Sequence, residues 1–475
     1  MAAQGSHALF KITPAVPTGG LAVLSSPRVI LSASVSIVAL KRSGAGLRIV
    51  LFLGLPAGAF ALSGAFLYTG APQYDVDAVF HGENRFPAGA EVRLFSNGAS
   101  HPLAPSLTVS ADAALSPDAQ SVLISGKQRP GQPWQIWEVP LTGGPPRQVT
   151  ACADDCIRPF YAAEEKFVYA RKTPQGFQIE IAPLHGGNGL RLTWLDGKFL
   201  PDGIMRDGRV LFEAPFPAAA SAARELYTVF TDGSGVETRR CDHGPDRHSA
   251  VELETGDLIF QTGSGFARFS SARAGQLDVA LPKGQFVGPV AEVERGEWLA
   301  SYRAGTEEAY WICRFAPRPA TPPVKVAGPN AFQPVPVRVH PAPPYHPSSL
   351  GNREGANLLC LNSYASKTEQ IAKGSVAEVR VWSRNKRGDA VALGKAPVEA
   401  DGSFFVRTPS EAPLRFELLD RRGKTITAEK GWFWARKGEQ RVCVGCHAGP
   451  ERAPENVTPQ VLLRTQTPVP MVPVD

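Results

Sequence analysis

The sequence predicts an all-β fold: a β-propeller of about six blades over residues 93–335, then a small antiparallel β-domain over residues 356–475. Three observations lead to this prediction. The 475 residues include 46 Gly and 43 Pro, which favour short strands and turns over long helices. One part of the chain repeats at the spacing of propeller blades. Towards the C-terminus, apolar and polar residues alternate as they do in half-buried strands.

The net charge of +6 belongs to the N-terminus, because five Lys and Arg residues precede the first acidic residue, Asp75. The nearly neutral remainder has no basic runs, so we expect no nucleic-acid partner. After a basic leader (residues 1–48), residues 49–68 carry no charge and are long enough to cross a bilayer. This pattern predicts a transmembrane helix that anchors an exported protein to the inner membrane, with its body in the bacterial periplasm. A buried core helix and a cleaved anchor are the alternatives.

A linker is expected over residues 69–92, and the propeller after it. The segments WQIWEVPLTGGPPRQVT (134–150) and FQIEIAPLHGGNGLRLT (177–193) match without a gap at an offset of 43 residues. Strands precede the hairpins at similar spacing, as in LSPDAQSVLIS and EEKFVYARK. A further blade is expected to combine residues 93–110 with a strand near 332–339, closing the ring with both ends. The Ser-Pro-Asp turn, apolar strand and LTGG turn resemble the TolB-type propeller repeat.

A proline-rich linker over residues 336–355 separates the two domains, since such segments are extended and stiff. Beyond it, residues 377–383, 403–409 and 414–420 read as strands, joined by turns of the Asp-Gly and Arg-Gly type. In the last of these strands Leu414 and its alternate neighbours are expected to face the core, and Glu417 to face water.

The most specific motif is CVGCH, from Cys443 through Cys446 to His447. C-x-x-C-H is the attachment pattern of c-type haem: the two thiols form thioethers, and the imidazole is the proximal ligand of the iron. One covalent haem c is therefore expected. A structural zinc site needs further ligands, a thioredoxin-like redox pair needs a βαβ context, and a disulfide within the motif is a third alternative.

With this motif at its end, the run over residues 397–456, following a TolB-like propeller, resembles the C-terminal part of hydrazine synthase alpha-subunit-like proteins. In that family a propeller is joined to β-hairpins that carry a haem c. The resemblance implies Cys443 and Cys446 as the attachment points and His447 as the proximal ligand.

Other candidate residues have a structural reading beside the functional one. Cys241, His243 and His248 could hold a metal, but they fall where an inter-blade loop is expected. Cys152 and Cys156 (CADDC) could form a disulfide or remain thiols. Cys360 is a packed apolar residue or a ligand in the haem pocket. The aromatic residues 432–434 wall the haem or belong to the core. No Walker or dinucleotide motif is present, so no nucleotide is expected.

The function expected first is electron transfer by an exported monohaem cytochrome c, with the propeller as a docking domain for a redox partner protein. Met471 is then the candidate distal ligand, because a Met/His pair suits a carrier. The alternative is a haem oxidoreductase, similar to hydrazine synthase, whose open iron position takes a small molecule such as a nitrogen oxide or peroxide. In a third reading the propeller binds a protein and the haem is structural.

Overall fold

The computed structural model describes residues 64–216, 223–240, 244, 246–270, 275–319, 321–366, 370–446 and 455–472. Within these residues the strands form eight four-stranded sheets, and the helices are two short segments of about one turn. The all-β prediction is confirmed. Turns rich in Gly and Pro end the apolar runs before a helix could reach a stable length.

Six of the sheets are the blades of a propeller, each with four antiparallel strands. The first strands in the chain are β1 (Phe66–Gly70), β2 (Glu91–Ser96) and β3 (Ala99–Pro102), with helix α1 (Ala78–His81) between β1 and β2. The next blade contains β4 (Val109–Leu115), β5 (Ser121–Lys127), β6 (Gln135–Pro140) and β7 (Arg147–Gln148). It is followed by the blade of β8 (Cys156–Ala162), β9 (Lys166–Thr173), β10 (Gly176–Pro183) and β11 (Leu190–Arg191).

The remaining strands of the propeller continue the same order. One blade consists of β12 (Leu200–Ile204), β13 (Val210–Pro215), β14 (Arg224–Val229) and β15 (Glu237–Thr238). The next consists of β16 (His248–Glu252), β17 (Leu258–Thr262), β18 (Gly265–Phe269) and β19 (Leu277–Asp278). Then come β20 (Gln285–Glu294), β21 (Glu297–Arg303), β22 (Trp311–Phe315) and β23 (Val324–Ala327), and finally β24 (Ala331–Pro336).

Both ends of the propeller close the ring. Strand β24 pairs antiparallel with β1, with Phe66 opposite Pro336 and Gly70 opposite Ala331, and so becomes the innermost strand of the first blade. The innermost strands β4, β8, β12, β16, β20 and β24 each contact the next, and β24 returns to β4. The expected closure by both chain ends, and the number of about six blades, are confirmed.

The N-terminal boundary differs from the prediction. Residues 66–68, the end of the predicted membrane segment, lie in β1, and their side chains are buried between neighbouring blades. The propeller therefore begins at Phe66 rather than at residue 93, and residues 69–92 are not a linker. A strand buried on both faces gives a continuous apolar run, which periodicity cannot separate from the end of a membrane helix. Residues 1–63, including most of that segment, lie outside the described residues.

No helix within the described part of the chain is long and apolar enough to cross a membrane.

The 43-residue repeat corresponds to a repeated hydrogen-bond pattern. In the second blade, Thr150 Oγ1 donates to Gln135 Oε1 at 2.9 Å, while Gln135 Nε2 donates to the carbonyl of Cys152 at 3.0 Å. In the third blade, Thr193 Oγ1 donates to Gln178 Oε1 at 2.7 Å, and Gln178 Nε2 donates to the carbonyl of Leu195 at 3.0 Å. The matched Gln and Thr side chains thus fasten the loop that leads into the next blade.

Charged side chains fill the centre of the ring. Asp112 and Arg158 occupy bulges in the innermost strands β4 and β8, with positive φ angles of 57° and 55°. Arg85 forms an ion pair with Asp112 at 2.7 Å. Arg158 pairs with both Asp202 and Glu213. Arg158 is 11% exposed, and the other four of these five side chains are more than nine-tenths buried.

Burial and the neighbouring carboxylate of Glu213 raise the pKa of Asp202 to about 8, although Arg158 opposes this shift. Burial acts in the same direction on Glu213, but Arg158 and Arg224 hold the pKa of Glu213 below its usual range. At neutral pH, Asp202 and Glu213 together therefore carry one negative charge, which faces the guanidinium of Arg158.

Residues 337–355 form no regular secondary structure and run along the propeller. The amide of Val337 donates to Ala65 O at 2.9 Å, and the amide of His340 donates to Pro117 O at 3.0 Å. The His346 ring stacks on Phe230, with centroids 4.0 Å apart. Both histidines of this segment thus contact the propeller.

The C-terminal domain contains two four-stranded sheets that face each other across one core. One sheet has the order β31 (Gln440–Cys443), β25 (Ala356–Cys360), β28 (Phe404–Thr408) and β32 (Val469–Pro470). The other has the order β27 (Ala390–Pro397), β26 (Glu378–Arg384), β29 (Arg415–Leu419) and β30 (Thr425–Ala428). Helix α2 (Gln460–Arg464) precedes β32.

The prediction of an antiparallel domain holds for only one sheet. β31 runs parallel to β25 and β32 runs parallel to β28, because long connections return the chain to these edges. Leu414 is buried, as predicted, but Glu417 is buried as well. Glu417 accepts hydrogen bonds from Trp382 Nε1 at 2.7 Å and from the Arg380 guanidinium at 3.1 Å. These partners replace water around the buried carboxylate.

Trp434 connects the two domains. Its ring is 2% exposed and packs edge-on against Phe199 at 6.1 Å and beside Trp194 at 6.2 Å, within the core of the third and fourth blades. Its Nε1 donates to Gly233 O at 3.4 Å. Trp434 therefore docks the C-terminal domain on the propeller. Of the two roles expected for the aromatic residues 432–434, Trp434 has the one in the core and does not wall a haem.

Candidate haem-attachment site

The two cysteines of the CVGCH motif lie where the C-terminal strand β31 ends. Cys443 is the last residue of β31 and is half-buried; its carbonyl accepts a hydrogen bond from Leu361 N at 2.9 Å. A bend at Val444 and Gly445 then turns the chain, and Cys446 is buried at 8% exposure. Burial raises the pKa of the Cys443 thiol to about 11. This thiol is therefore protonated at neutral pH.

Close packing requires the glycine between the two cysteines. A Cβ at position 445 would lie 2.4 Å from Ala365 O and 2.8 Å from Asn362 O, which is well inside contact distance. The loop 361–366 thus packs directly against Gly445 and fixes how the chain turns from Cys443 to Cys446. Residue 445 is the second variable position of the C-x-x-C-H pattern, and here packing restricts it to glycine.

A third sulfur accompanies the motif. Cys360 ends β25 and lies opposite Cys443 in the parallel ladder. Its thiol is buried, and a hydrogen bond with Cys446, together with burial, raises the pKa of Cys360 well above its usual range. Sequence analysis left Cys360 open between a packed residue and a ligand; the structure places it in the core and in contact with the motif. The parallel pairing of β25 and β31 produces this proximity, which the 82 intervening residues hide from sequence analysis.

His447 and residues 448–454 lie outside the described residues, so the structure does not test His447 as the proximal ligand. Met471 is described: it is 3% exposed in the core that also contains Cys446 and Cys360. The Met471 amide donates to Arg407 O at 2.7 Å, and its sulfur lies 3.1 Å from the position that a Cβ of residue 394 would occupy. The thioether is thus packed between the sheets.

The second candidate metal cluster is described only in part, since Cys241 and His243 lie outside the described residues. His248 is buried at the start of β16, where its Nδ1 is 3.1 Å from Ser249 Oγ and its Nε2 is 3.8 Å from Asp246. Among the described residues, no group of three or more His, Cys, Asp or Glu side chains is arranged to hold a metal ion. Burial lowers the pKa of His248, so this ring is neutral at pH 7.

The residues at the motif fit a covalently bound haem. The donor set is the one that c-type attachment uses: two thiols separated by two residues, followed by His447. In the supporting loop 361–366, Ser363 Oγ and Tyr364 Oη are buried without a hydrogen-bond partner among the described residues. A buried hydroxyl group without a partner costs about 1–3 kcal/mol, so a polar group from a bound molecule would stabilise it.

The fold and site define a class: proteins in which a six-bladed propeller carries a β-sandwich with a C-x-x-C-H motif. Residues 361–448 match the family model of the hydrazine synthase alpha subunit middle domain. The chain is 33% identical over 60 residues to the hydrazine synthase subunit alpha of Kuenenia stuttgartiensis; the match covers 13% of the chain and 7% of that relative. The sequence-based resemblance to this family is confirmed.

A solved structure of the hydrazine synthase type shows the same fold. The hydrazine synthase of Kuenenia stuttgartiensis superposes with a TM-score of 0.70 at 16% identity, covering 84% of this chain and 71% of that chain. TolB from Acinetobacter baumannii gives a TM-score of 0.42 at 11% identity, covering 57% of this chain and 66% of that chain. The first comparison extends the similarity in fold from the C-terminal domain to the propeller.

Proposed function

We propose that this chain is an exported haem-c oxidoreductase of the hydrazine synthase type, whose C-terminal domain binds one haem and whose iron takes a small molecule such as a nitrogen oxide. The family-model match over residues 361–448 carries this proposal, because it spans both motif cysteines and His447. The same match supports an enzyme better than the electron carrier that the sequence suggested first.

The residues that would hold the cofactor are Cys443 and Cys446 through thioethers, and His447 as proximal ligand. A c-type haem supplies one-electron chemistry and an iron that can bind a small ligand. The protein's part is to hold the motif rigid: the ladder between β31 and β25 fixes Cys443, and the loop 361–366 fixes the turn at Gly445. The hydroxyl groups of Ser363 and Tyr364 remain available as hydrogen-bond donors.

The position of Met471 favours the enzyme over the carrier. A carrier of this kind needs a second strong ligand, and Met471 was the sequence-based candidate. Its amide is bound to Arg407 O and its side chain fills the core beside Gly394. Recruiting the thioether to iron would leave a cavity between the sheets, and removing a buried Met side chain costs about 2–5 kcal/mol.

Export and a protein partner belong to the same proposal. The basic leader of residues 1–48 and the uncharged run after it favour export, and c-type haem is attached outside the cytoplasm. The curated relative is named as a subunit of an enzyme, which supports a partner protein for this chain as well. We propose that this partner supplies or removes electrons.

The first experiment tests attachment. The full chain is expressed in a strain competent for cytochrome c maturation and run on a denaturing gel stained for haem peroxidase activity. The wild type should stain, and the double variant Cys443→Ala/Cys446→Ala should not. Cys313→Ala is the matched control, because Cys313 is buried in the propeller far along the chain from the motif. Staining of the double variant would refute attachment at CVGCH.

The second experiment separates enzyme from carrier. Carbon monoxide is added to the reduced protein, and the Soret band is followed in the wild type and in Met471→Leu, which preserves core volume. An open position predicts a rapid shift that is equal in both proteins, and an unchanged oxidised spectrum in the variant. No shift in the wild type, together with a shift in Met471→Leu, would establish Met471 as a ligand and restore the carrier.

A further inference from the structure

The loops that lead from one blade to the next provide an internal comparison. At the offset of 43 residues, Cys152 corresponds to Leu195 and Cys156 to Phe199. The backbone bonds agree: Cys156 N donates to Trp134 O at 2.8 Å, and Phe199 N donates to Phe177 O at 2.9 Å. The two loops therefore share this backbone anchor, with two apolar side chains in the one and two thiols in the other.

Leu195 and Phe199 fill the core below their loop, where they are 9% and 5% exposed. The two cysteine side chains are much smaller, so they cannot supply the same packing. Instead they contact each other: the sulfur atoms of Cys152 and Cys156 are 2.7 Å apart, and no disulfide joins them in this structure. That separation is shorter than a van der Waals contact between two sulfur atoms, so only a small further approach would be needed for an S–S bond.

The loop holds both cysteines in place without a covalent bond between them. Gln135 Oε1 accepts from the amide of Cys152 at 2.9 Å, while Gln135 Nε2 donates to its carbonyl at 3.0 Å. Asp155 Oδ1 accepts from Trp134 N at 2.9 Å. Because these contacts fix the backbone at each end, closing the small ring requires little further ordering of the chain.

From this geometry we propose that Cys152 and Cys156 form a disulfide bond in the folded protein, stapling the loop between the second and third blades. Each thiol loses one hydrogen and a new S–S bond forms. The two electrons pass to the disulfide of a thiol–disulfide oxidoreductase, or of oxidised glutathione in vitro, which is cleaved and takes up two protons. The proposal does not depend on the haem.

The two thiols differ in the way that this reaction requires. Cys152 is half-buried, and the hydrogen bond that Cys156 donates to it holds the pKa of Cys152 below its usual range, although burial opposes this. Cys156 is fully buried, and the same hydrogen bond together with burial raises its pKa. Cys152 is thus the thiolate that attacks the oxidant, and Cys156 then displaces the oxidant from Cys152.

Peptide mapping of the full chain tests the bond. The folded protein is equilibrated in an oxidising glutathione buffer, then denatured, alkylated with N-ethylmaleimide and digested with trypsin. Residues 148–166 form one tryptic peptide containing these two cysteines and no other, because trypsin does not cleave Arg158–Pro159. We expect this peptide without label and two hydrogen atoms lighter than its dithiol form. The peptide 304–314, with Cys313, should carry one label. Two labels on residues 148–166 would overturn the proposal.

Thermal unfolding tests the staple. Reductant should lower the melting temperature of the oxidised wild type by about 4 °C, since a short ring contributes a modest stabilisation. It should leave Cys152→Ser unchanged. The double variant Cys152→Leu/Cys156→Phe introduces the side chains of the neighbouring loop. Reductant should not change its melting temperature either. An equal effect of reductant on the wild type and Cys152→Ser would place the responsible thiols elsewhere and contradict the proposal.

Discussion

Replacing Trp434 by Ala should uncouple the C-terminal domain from the propeller. The ring is 2% exposed and packs against Phe199 and Trp194, so its loss leaves a cavity between the domains. Truncating a buried Trp costs about 3–5 kcal/mol, and the long hydrogen bond to Gly233 O adds little. We therefore expect the free energy of unfolding to fall by about 4 kcal/mol.

The neighbouring Trp432 provides a matched control. It is half-buried, and the guanidinium groups of Arg384 and Arg415 lie 4.6 Å and 5.0 Å from its ring centre. Such exposed cation–π contacts contribute about 0.5–1 kcal/mol each, so Trp432→Ala should cost about 1–2 kcal/mol. Both variants remove one Trp, and they differ mainly in what the ring touches.

Calorimetry combined with limited proteolysis measures the difference. Trp434→Ala should split the unfolding transition in two and expose the segment 337–355 to protease, because the domains no longer stabilise each other. Trp432→Ala should keep the wild-type pattern at a slightly lower temperature. If Trp434→Ala destabilises the protein no more than Trp432→Ala does, Trp434 is not the docking residue.

Two further predictions concern the propeller centre and the haem motif. The pKa of Asp202 rises from 3.8 to about 8 on folding, so the folded state keeps a proton that the unfolded state loses, and stability falls as pH rises between these values, by at most about 1.4 kcal/mol per pH unit. Asp202→Asn should flatten this slope in urea unfolding measured across that range; identical slopes in variant and wild type would refute the shift. Gly445→Ala should cost about 2 kcal/mol through overpacking against the loop 361–366 and should reduce haem staining, whereas Gly263→Ala, where a Cβ meets no atom within 4 Å, should do neither. Wild-type stability and haem content in Gly445→Ala would show that the loop 361–366 can move to accept the added methyl group, which would refute the packing argument.

The all-β class and the propeller followed from local features of the chain. Short apolar strands and Gly-rich turns act within a few residues, and the 43-residue repeat appears in any self-comparison. The structure explains the repeat: Gln135 and Thr150 form the same bonds as their counterparts one blade later. The CVGCH motif was equally local, since its chemistry depends on three residues within five positions.

Other features depended on which distant segments meet. The end of the predicted membrane segment proved to be β1, because an apolar run has the same composition whether a bilayer or two blades cover it. The alternation of residues predicts that Glu417 faces water, but Trp382 and Arg380 cover it in the folded domain.

The sequence by itself determined the repeating strand pattern and the C-x-x-C-H spacing of Cys443, Cys446 and His447, because both reside in short stretches of chain. Only the tertiary structure decided that Cys360 lies beside the motif, that Met471 fills the core and that Trp434 joins the domains. The physical reason is the same in each case. Burial and contact between residues far apart in the chain are properties of the packed fold, and no local pattern of side chains encodes them.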